Sequence, residues 1–271
     1  MTTADSSQHS LAYVKEPSFG VTPSSPTLTP LRHSGATLGV EKTLLESQEV
    51  NANRDVKYIR HGNKQVGRDV SFELSYGSQD DFLASALGDS WSTEVDTGAI
   101  TIDVAPSGSD ATFTRSSGDF TTDPIAVGDV VTASGYSASG GNGRFLVTNV
   151  TSTVVTATPL EGQTVPTESG GGDERLIVRA TIKNDTTQDS YTIQRYFSDV
   201  GDYVVLTGMV VDTLSLEIGT DAMVTGTVSF IGKDIATSTS AISGSSTSSE
   251  TTTEGFDTYT GSIYENGATG A

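Results

Sequence analysis

GRDVSFELSYGSQDDFLASALG, Gly67 to Gly88, decides the reading of this chain, because a strand and a helix are both legible in it. From Val70 the pattern alternates, with Val70, Phe72, Leu74 and Tyr76 on one face and Asp69, Ser71, Glu73 and Ser75 on the other, as in a half-buried strand. Gly77 ends it. Ser78 stands in an N-cap position with Asp81 three residues on, and Phe82, Leu83, Ala86 and Leu87 follow at helical spacing before Gly88 stops the run. The stretch predicts a short amphipathic helix, Gln79 to Leu87, packed on a sheet.

Upstream lies a basic segment. Of the 15 Lys and Arg residues, Arg54, Lys57, Arg60, Lys64 and Arg68 fall between positions 54 and 68, on a chain whose net charge is −19. Such a loop is either solvated or a docking arm for an acidic surface, and a second copy of this chain is the nearest such surface. Leu38 to Val50 reads as the strand before it, with Leu38, Val40, Leu44 and Leu45 pointing inward. Earlier still, Pro17, Pro23, Pro26 and Pro30 disfavour helix and central strand, which predicts an extended arm lying on a surface and docked through Leu11, Tyr13, Phe19 and Leu28.

Downstream of Trp91 the composition changes. Residues 95–172 hold only two basic residues, Arg115 and Arg144, among many Thr, Ser, Gly and Val. Strand candidates Ala111 to Arg115, Asp129 to Tyr136, Gly143 to Val150 and Thr153 to Thr158 alternate with glycine-rich turns, the spacing of a small barrel or sandwich. This is expected to be an inserted all-β domain, between a core's first half at 1–94 and its second half at 173–235. That second half reads as strands from Leu176 to Ile231. In the last of them TGTVSFIG echoes GRDVSFEL, a faint repeat that would let two related β units pair in one sheet. Residues 236–254 read as a Ser/Thr-rich linker too polar to fold alone, followed by a terminal strand within 236–271.

The absence of cysteine excludes disulfides and thiolate metal sites. No basic-then-apolar leader and no apolar run of membrane-spanning length is present. The acidic balance opposes non-specific nucleic-acid binding. His9, His33 and His61 lack metal-ligand spacing, Gly140 to Arg144 lacks the Lys-Ser/Thr of a phosphate loop, and no nucleophile elbow occurs. No catalytic, cofactor or metal residues are assigned, and the chain is not read as an enzyme.

As an ordered set, AYVKEPSFGVTP (12–23), GATLGVEKTLLESQEVNANRDVKYIRHGNKQVG (35–67), RDVSFELSYGSQDDFLASALGDSW (68–91), MVTGTVSFIGKD (223–234) and FDTYTGSIYENG (256–267) resemble the tail tube proteins of long-tailed, non-contractile bacteriophages. The resemblance implies a mainly β fold, a sandwich or barrel core with one flanking helix, in a structural virion protein made in the host cytoplasm. It implies hexameric rings stacked into a tube whose lumen passes DNA without binding it. Tape-measure, terminator and baseplate proteins are the implied partners, with no membrane. On that basis Asp69, Ser71, Glu73, Thr225, Thr227 and Ser229 are expected to face the lumen. Val70, Phe72, Leu74, Phe82, Leu83, Leu87, Val228 and Phe230 are expected to pack the layer behind, and the 54–68 bases to join one ring to the next. The family's pattern continues past ENG, so a longer C-terminus or a neighbour's strand is expected to complete the fold. The competing reading is a monomeric all-β surface or adhesion module.

Overall fold

The structure, a computed structural model, describes residues 8–49, 58–259, 264–265 and 268–269. Arg54, Lys57 and most of the segment after Tyr259 lie outside the described residues. In chain order, β1 (His9–Lys15), β2 (Thr27–Leu31), β3 (Gly35–Ala36), β4 (Gly39–Glu46) and β5 (Ile59–Glu73) precede α1 (Asp80–Leu87). Next come β6 (Val95–Asp96), β7 (Ile102–Ser107), β8 (Asp110–Arg115), β9 (Val130–Ser134), β10 (Gly143–Val150), β11 (Val154–Pro159) and β12 (Arg175–Val178). The chain ends with β13 (Tyr191–Phe197), β14 (Asp202–Glu217), β15 (Thr225–Gly232), β16 (Asp234–Ser238), β17 (Ser246–Thr247) and the short pair β18 (Tyr264–Glu265) and β19 (Ala268–Thr269). The fold is mainly β, with a single α-helix among the described residues.

Two compact units divide the chain: residues 1–90 with 183–261, and residues 91–182 with 262–271. The first is a ten-stranded sheet ordered β17-β2-β1-β13-β14-β15-β5-β3, with β16 also on β14 and β4 also on β5. Its long strand β14 is shared. Residues 202–209 pair with β13, and residues 210–217 pair with β15. Between them Gly208 adopts φ 64°, where a Cβ would meet the Lys233 Cβ at 2.6 Å, so the strand turns where a side chain has no room. Both halves feed one core. Leu11, Tyr13 and Leu31 come from the β1 side and Val66, Val70, Phe72, Val228 and Phe230 from the β15 side. The Phe82 ring of α1 lies 4.6 Å from that of Tyr13, 5.2 Å from Tyr191 and 5.3 Å from Phe230. Tilted and edge-on aromatic pairs of this kind add about 0.5–1.5 kcal/mol each beyond the area they bury.

The helix differs in detail from its sequence signature. Gln79 occupies the N-cap without a side-chain capping bond, its amide instead donating to Arg32 O at 3.4 Å. Ser78 cannot cap because its hydroxyl is taken by Ser75 Oγ at 2.6 Å and Thr251 Oγ1 at 2.8 Å. Gly88 does close the helix, at φ 70°. Phe82 and Ala84 are the buried positions, while Leu83 is half-buried and Leu87 exposed. A helix this short meets the sheet along a narrow line, which Phe82 fills.

The proline-bearing arm is integral. β1 lies between β2 and β13, and Pro30 sits within β2 opposite Ala12. Pro17, Pro23 and Pro26 occupy the connection between them, where no ladder bond is lost. That connection is fastened by Glu16, which is buried. Its carboxylate accepts hydrogen bonds from Gly20 N–H (2.6 Å), Ser190 Oγ (2.7 Å), Thr192 Oγ1 (2.8 Å) and Gly208 N–H (2.8 Å). Burial opposes ionisation, but these donors outweigh it and hold the carboxyl below its ordinary 4.5.

The polar 236–254 segment is likewise part of the unit. Its start completes β16, paired with β14 from Tyr203 to Thr207, and β17 runs parallel to β2. An edge strand needs ladder bonds more than apolar side chains, so low hydrophobicity does not exclude it.

In the second unit the sheet order is β6-β12-β9-β10-β11-β8-β7. Alternate residues, among them Ile102, Val104, Phe113, Val131, Phe145, Val155 and Leu176, are buried in its core. β12, expected in the second half of the first core, pairs with β6 and β9 here. Arg115 closes one end, bonded to Asp123 at 2.5 Å with its guanidinium 4.6 Å above the Phe120 ring.

Candidate functional site

β5 and β15 pair antiparallel with Val70 opposite Val228, so the two Val-Ser-Phe segments meet at their valines and run in opposite directions from that rung. Their inner face, Val70, Phe72, Val228 and Phe230, is buried. Gly226 stands opposite Phe72, and a Cβ there would meet the Phe72 ring at 2.5 Å, so glycine makes room for the aromatic.

The outer face is polar throughout. The register sets Glu73 against Thr225, Ser71 against Thr227 and Asp69 against Ser229. On the far side of β15 it adds Glu217, Ser215 and Thr213 in the same three rungs. Ser229 Oγ donates to Asp69 Oδ1 at 2.6 Å, and the Ser71 and Thr227 hydroxyls are 3.3 Å apart. The six residues expected on one face are thus together. The sequence reading missed the β14 rung members, although Thr213-Leu214-Ser215-Leu216-Glu217 alternates as clearly as β5 does. These rungs carry three carboxylates, Asp69, Glu73 and Glu217, and no base.

This four-strand ladder has two open edges. Residues 211–217 of β14 have no strand on the side away from β15, because β13 stops its pairing at Met209. At the other end β3 and β4 pair only with β5. Among the described residues, neither outer edge has a partner. Leu216 lies at the first of them and is 41% exposed.

Beyond Val66 the β4–β5 pair continues as a ribbon, with Leu44 opposite His61 and Leu45 opposite Arg60. At its base Gly67 (φ 135°) and Arg68 (φ 101°) depart from extended geometry, and a Cβ on Gly67 would collide with Phe230 O. Val40, Leu44 and Leu45, expected inward, are exposed, as are Tyr58 and Ile59, because no described residue lies beneath the ribbon. Of the described bases, Lys64 pairs with Asp234, Arg68 pairs with Glu41, and the Arg60 guanidinium lies 5.5 Å from the centre of the Tyr58 ring.

No group of three or more His, Asp or Glu side chains placed to hold a metal occurs among the described residues, and no helix there is long and apolar enough to cross a membrane. The loop containing Gly140 forms a short 3-10 turn, Ser139–Gly141, between β9 and β10. What the site offers chemically is backbone: two ladder edges that no described strand pairs, flanking a polar, acidic face.

A family model described as phage tail tube protein matches residues 6–271, nearly the whole chain. No curated protein matches at a significant level.

Proposed function

The chain belongs to the phage tail tube protein family and is a structural component of a phage tail; from that premise we propose that its copies join edge to edge into hexameric rings that stack as a DNA-conducting tube. The observation that carries this reading is the pair of open edges on one ladder. Residues 211–217 of β14 in one copy pair with the β3–β4 edge of the next, and repetition around a ring leaves no edge exposed. The face bearing Asp69, Ser71, Glu73, Thr225, Thr227 and Ser229 then lines the lumen, joined by Thr213, Ser215 and Glu217. Its carboxylates repel DNA phosphates, so the genome passes without sticking, the converse of a basic binding surface.

The β4–β5 ribbon reaches the neighbouring ring, where Arg60 and Lys64 meet its acidic surface and the exposed leucines meet its apolar one. The unit at 91–182 decorates the exterior, and its removal leaves tubes intact. Tape-measure, terminator and baseplate proteins complete the tail, which is assembled in the host cytoplasm.

Light scattering on the purified chain followed by electron microscopy tests the proposal. Six-fold rings or hollow tubes are the expected result, with the Asp69 face inward in a reconstruction. Leu216→Asp should leave a folded monomer, since the side chain is already part-exposed, yet abolish rings because an unpaired charge would be buried at every junction. A compact monomer at all concentrations, or tubes lined by another face, would overturn the reading.

A further inference from the structure

His9 opens β1 and His33 lies just past β2, 24 residues apart in sequence. The antiparallel register that pairs Leu11 with Leu31 carries on to set them directly opposite. Their Nε2 atoms are 2.9 Å apart and their ring centroids 4.8 Å apart. His33 Nδ1 lies 3.2 Å from Leu31 O. A carbonyl oxygen only accepts, so His33 carries its proton on Nδ1 and presents a bare Nε2 lone pair toward His9 Nε2–H. The Phe197 ring, 5.9 Å from that of His9, packs against the pair.

We propose that His9 and His33 form a two-imidazole site for a divalent transition metal of the zinc, nickel or copper type, with water completing the coordination. Metal–nitrogen bonds of about 2.0–2.1 Å at a tetrahedral angle place two nitrogens about 3.3 Å apart. The rings therefore need to part only slightly from their hydrogen-bonded separation. The Nδ1–H bond to a backbone carbonyl is the outer contact that orients a ligating histidine and raises its basicity. On binding, His9 moves its proton from Nε2 to Nδ1, and both rings stay neutral. The adjacent cations are committed elsewhere: Arg32 donates to Ser75 Oγ (3.0 Å) and Thr253 O (2.6 Å), and the Arg195 guanidinium stacks 4.6 Å from the Phe197 centroid. Two imidazole nitrogens favour such a metal over magnesium and calcium, which prefer oxygen. A bound metal would clip β1 to β2 at the start of the sheet.

The test uses the full chain, melted with increasing zinc or nickel chloride. Above saturation the midpoint should rise about 3 to 6 °C for each tenfold increase in metal, with magnesium giving no such rise. His61→Ala should keep the response and His33→Ala should lose it. Should the variant fail to fold, zinc protection of His9 and His33 from carbethoxylation in the unaltered chain, read by mass spectrometry, provides the same test. No metal-dependent shift, a shift that survives His33→Ala, or equal modification with and without zinc would overturn the proposal.

Discussion

Residues 66–73 and 59–65 belong to one strand, β5, and meet opposite surroundings. The later half turns Val66, Val70 and Phe72 into a closed core, whereas the earlier half has, among the described residues, only β4 beside it and leaves Ile59 55% exposed, with Leu44 and Leu45 each 59% exposed across the ladder. Alternation records that a segment is extended; it does not record whether a floor lies beneath it. Exposed apolar residues gathered in one place form a patch that another surface can cover.

The sharpest way to break that contrast is Phe72→Asp. It places an unpaired carboxylate in a fully buried site, at a cost of several kcal/mol, and should leave insoluble protein. A soluble variant with an unchanged melting point would show that the two halves of β5 do not differ as described. Next in size is Glu16→Ala, which removes the acceptor from four donors and should cost about 3 kcal/mol, read by chemical denaturation. Because the folded pKa of Glu16 is depressed, its stabilisation is present above 4.5 and is lost as pH falls through the lower folded value. The melting point of the unaltered chain should therefore drop on acidification in that range, and Glu16→Gln should flatten this drop. Leu44→Asp with Leu45→Asp should change monomer stability by only about 0.5 kcal/mol, as expected of exposed positions, while preventing tube growth. Unimpaired tubes would remove the ribbon from the stacking contact. Reversing Arg60 and Lys64 to Glu should likewise alter the melting point little, since the exposed ion pair of Lys64 with Asp234 contributes only about 0–1 kcal/mol, yet it should spare rings and stop their polymerisation.

Much of this was legible in residues. The alternation at Val70, the stop at Gly88 and the likeness of Val70-Ser71-Phe72 to Val228-Ser229-Phe230 lead to strand, helix and pairing in turn. Gly143 to Val150 matches β10 in full. What stayed hidden depends on distant partners. Ser78 has cap chemistry, but Ser75 and Thr251 claim its hydroxyl. The run that starts at Leu176 shows a strand, not which of two cores receives it. Pro17, Pro23 and Pro26 mark where β1 and β2 are joined, yet prolines at this density disfavour a central strand in sequence, and β1 nonetheless lies inside the sheet. Thr213, Ser215 and Glu217 joined the polar face only through the register with β15.

The chain enters and leaves the 91–182 unit at adjacent points. Ser92 N–H donates to Thr181 O at 2.8 Å, and Thr181 N–H donates to Ser92 Oγ at 2.9 Å. On the core side, Asp185 N–H donates to Leu87 O at 2.9 Å and Thr187 N–H to Gly88 O at 2.8 Å. To the core, everything between is one long loop with its ends already tied, and loop-closure entropy grows only slowly with what such a loop contains. The position is thus a socket: a short turn could seal it, or another folded module with neighbouring termini could be seated there, without the core strands having to find new partners.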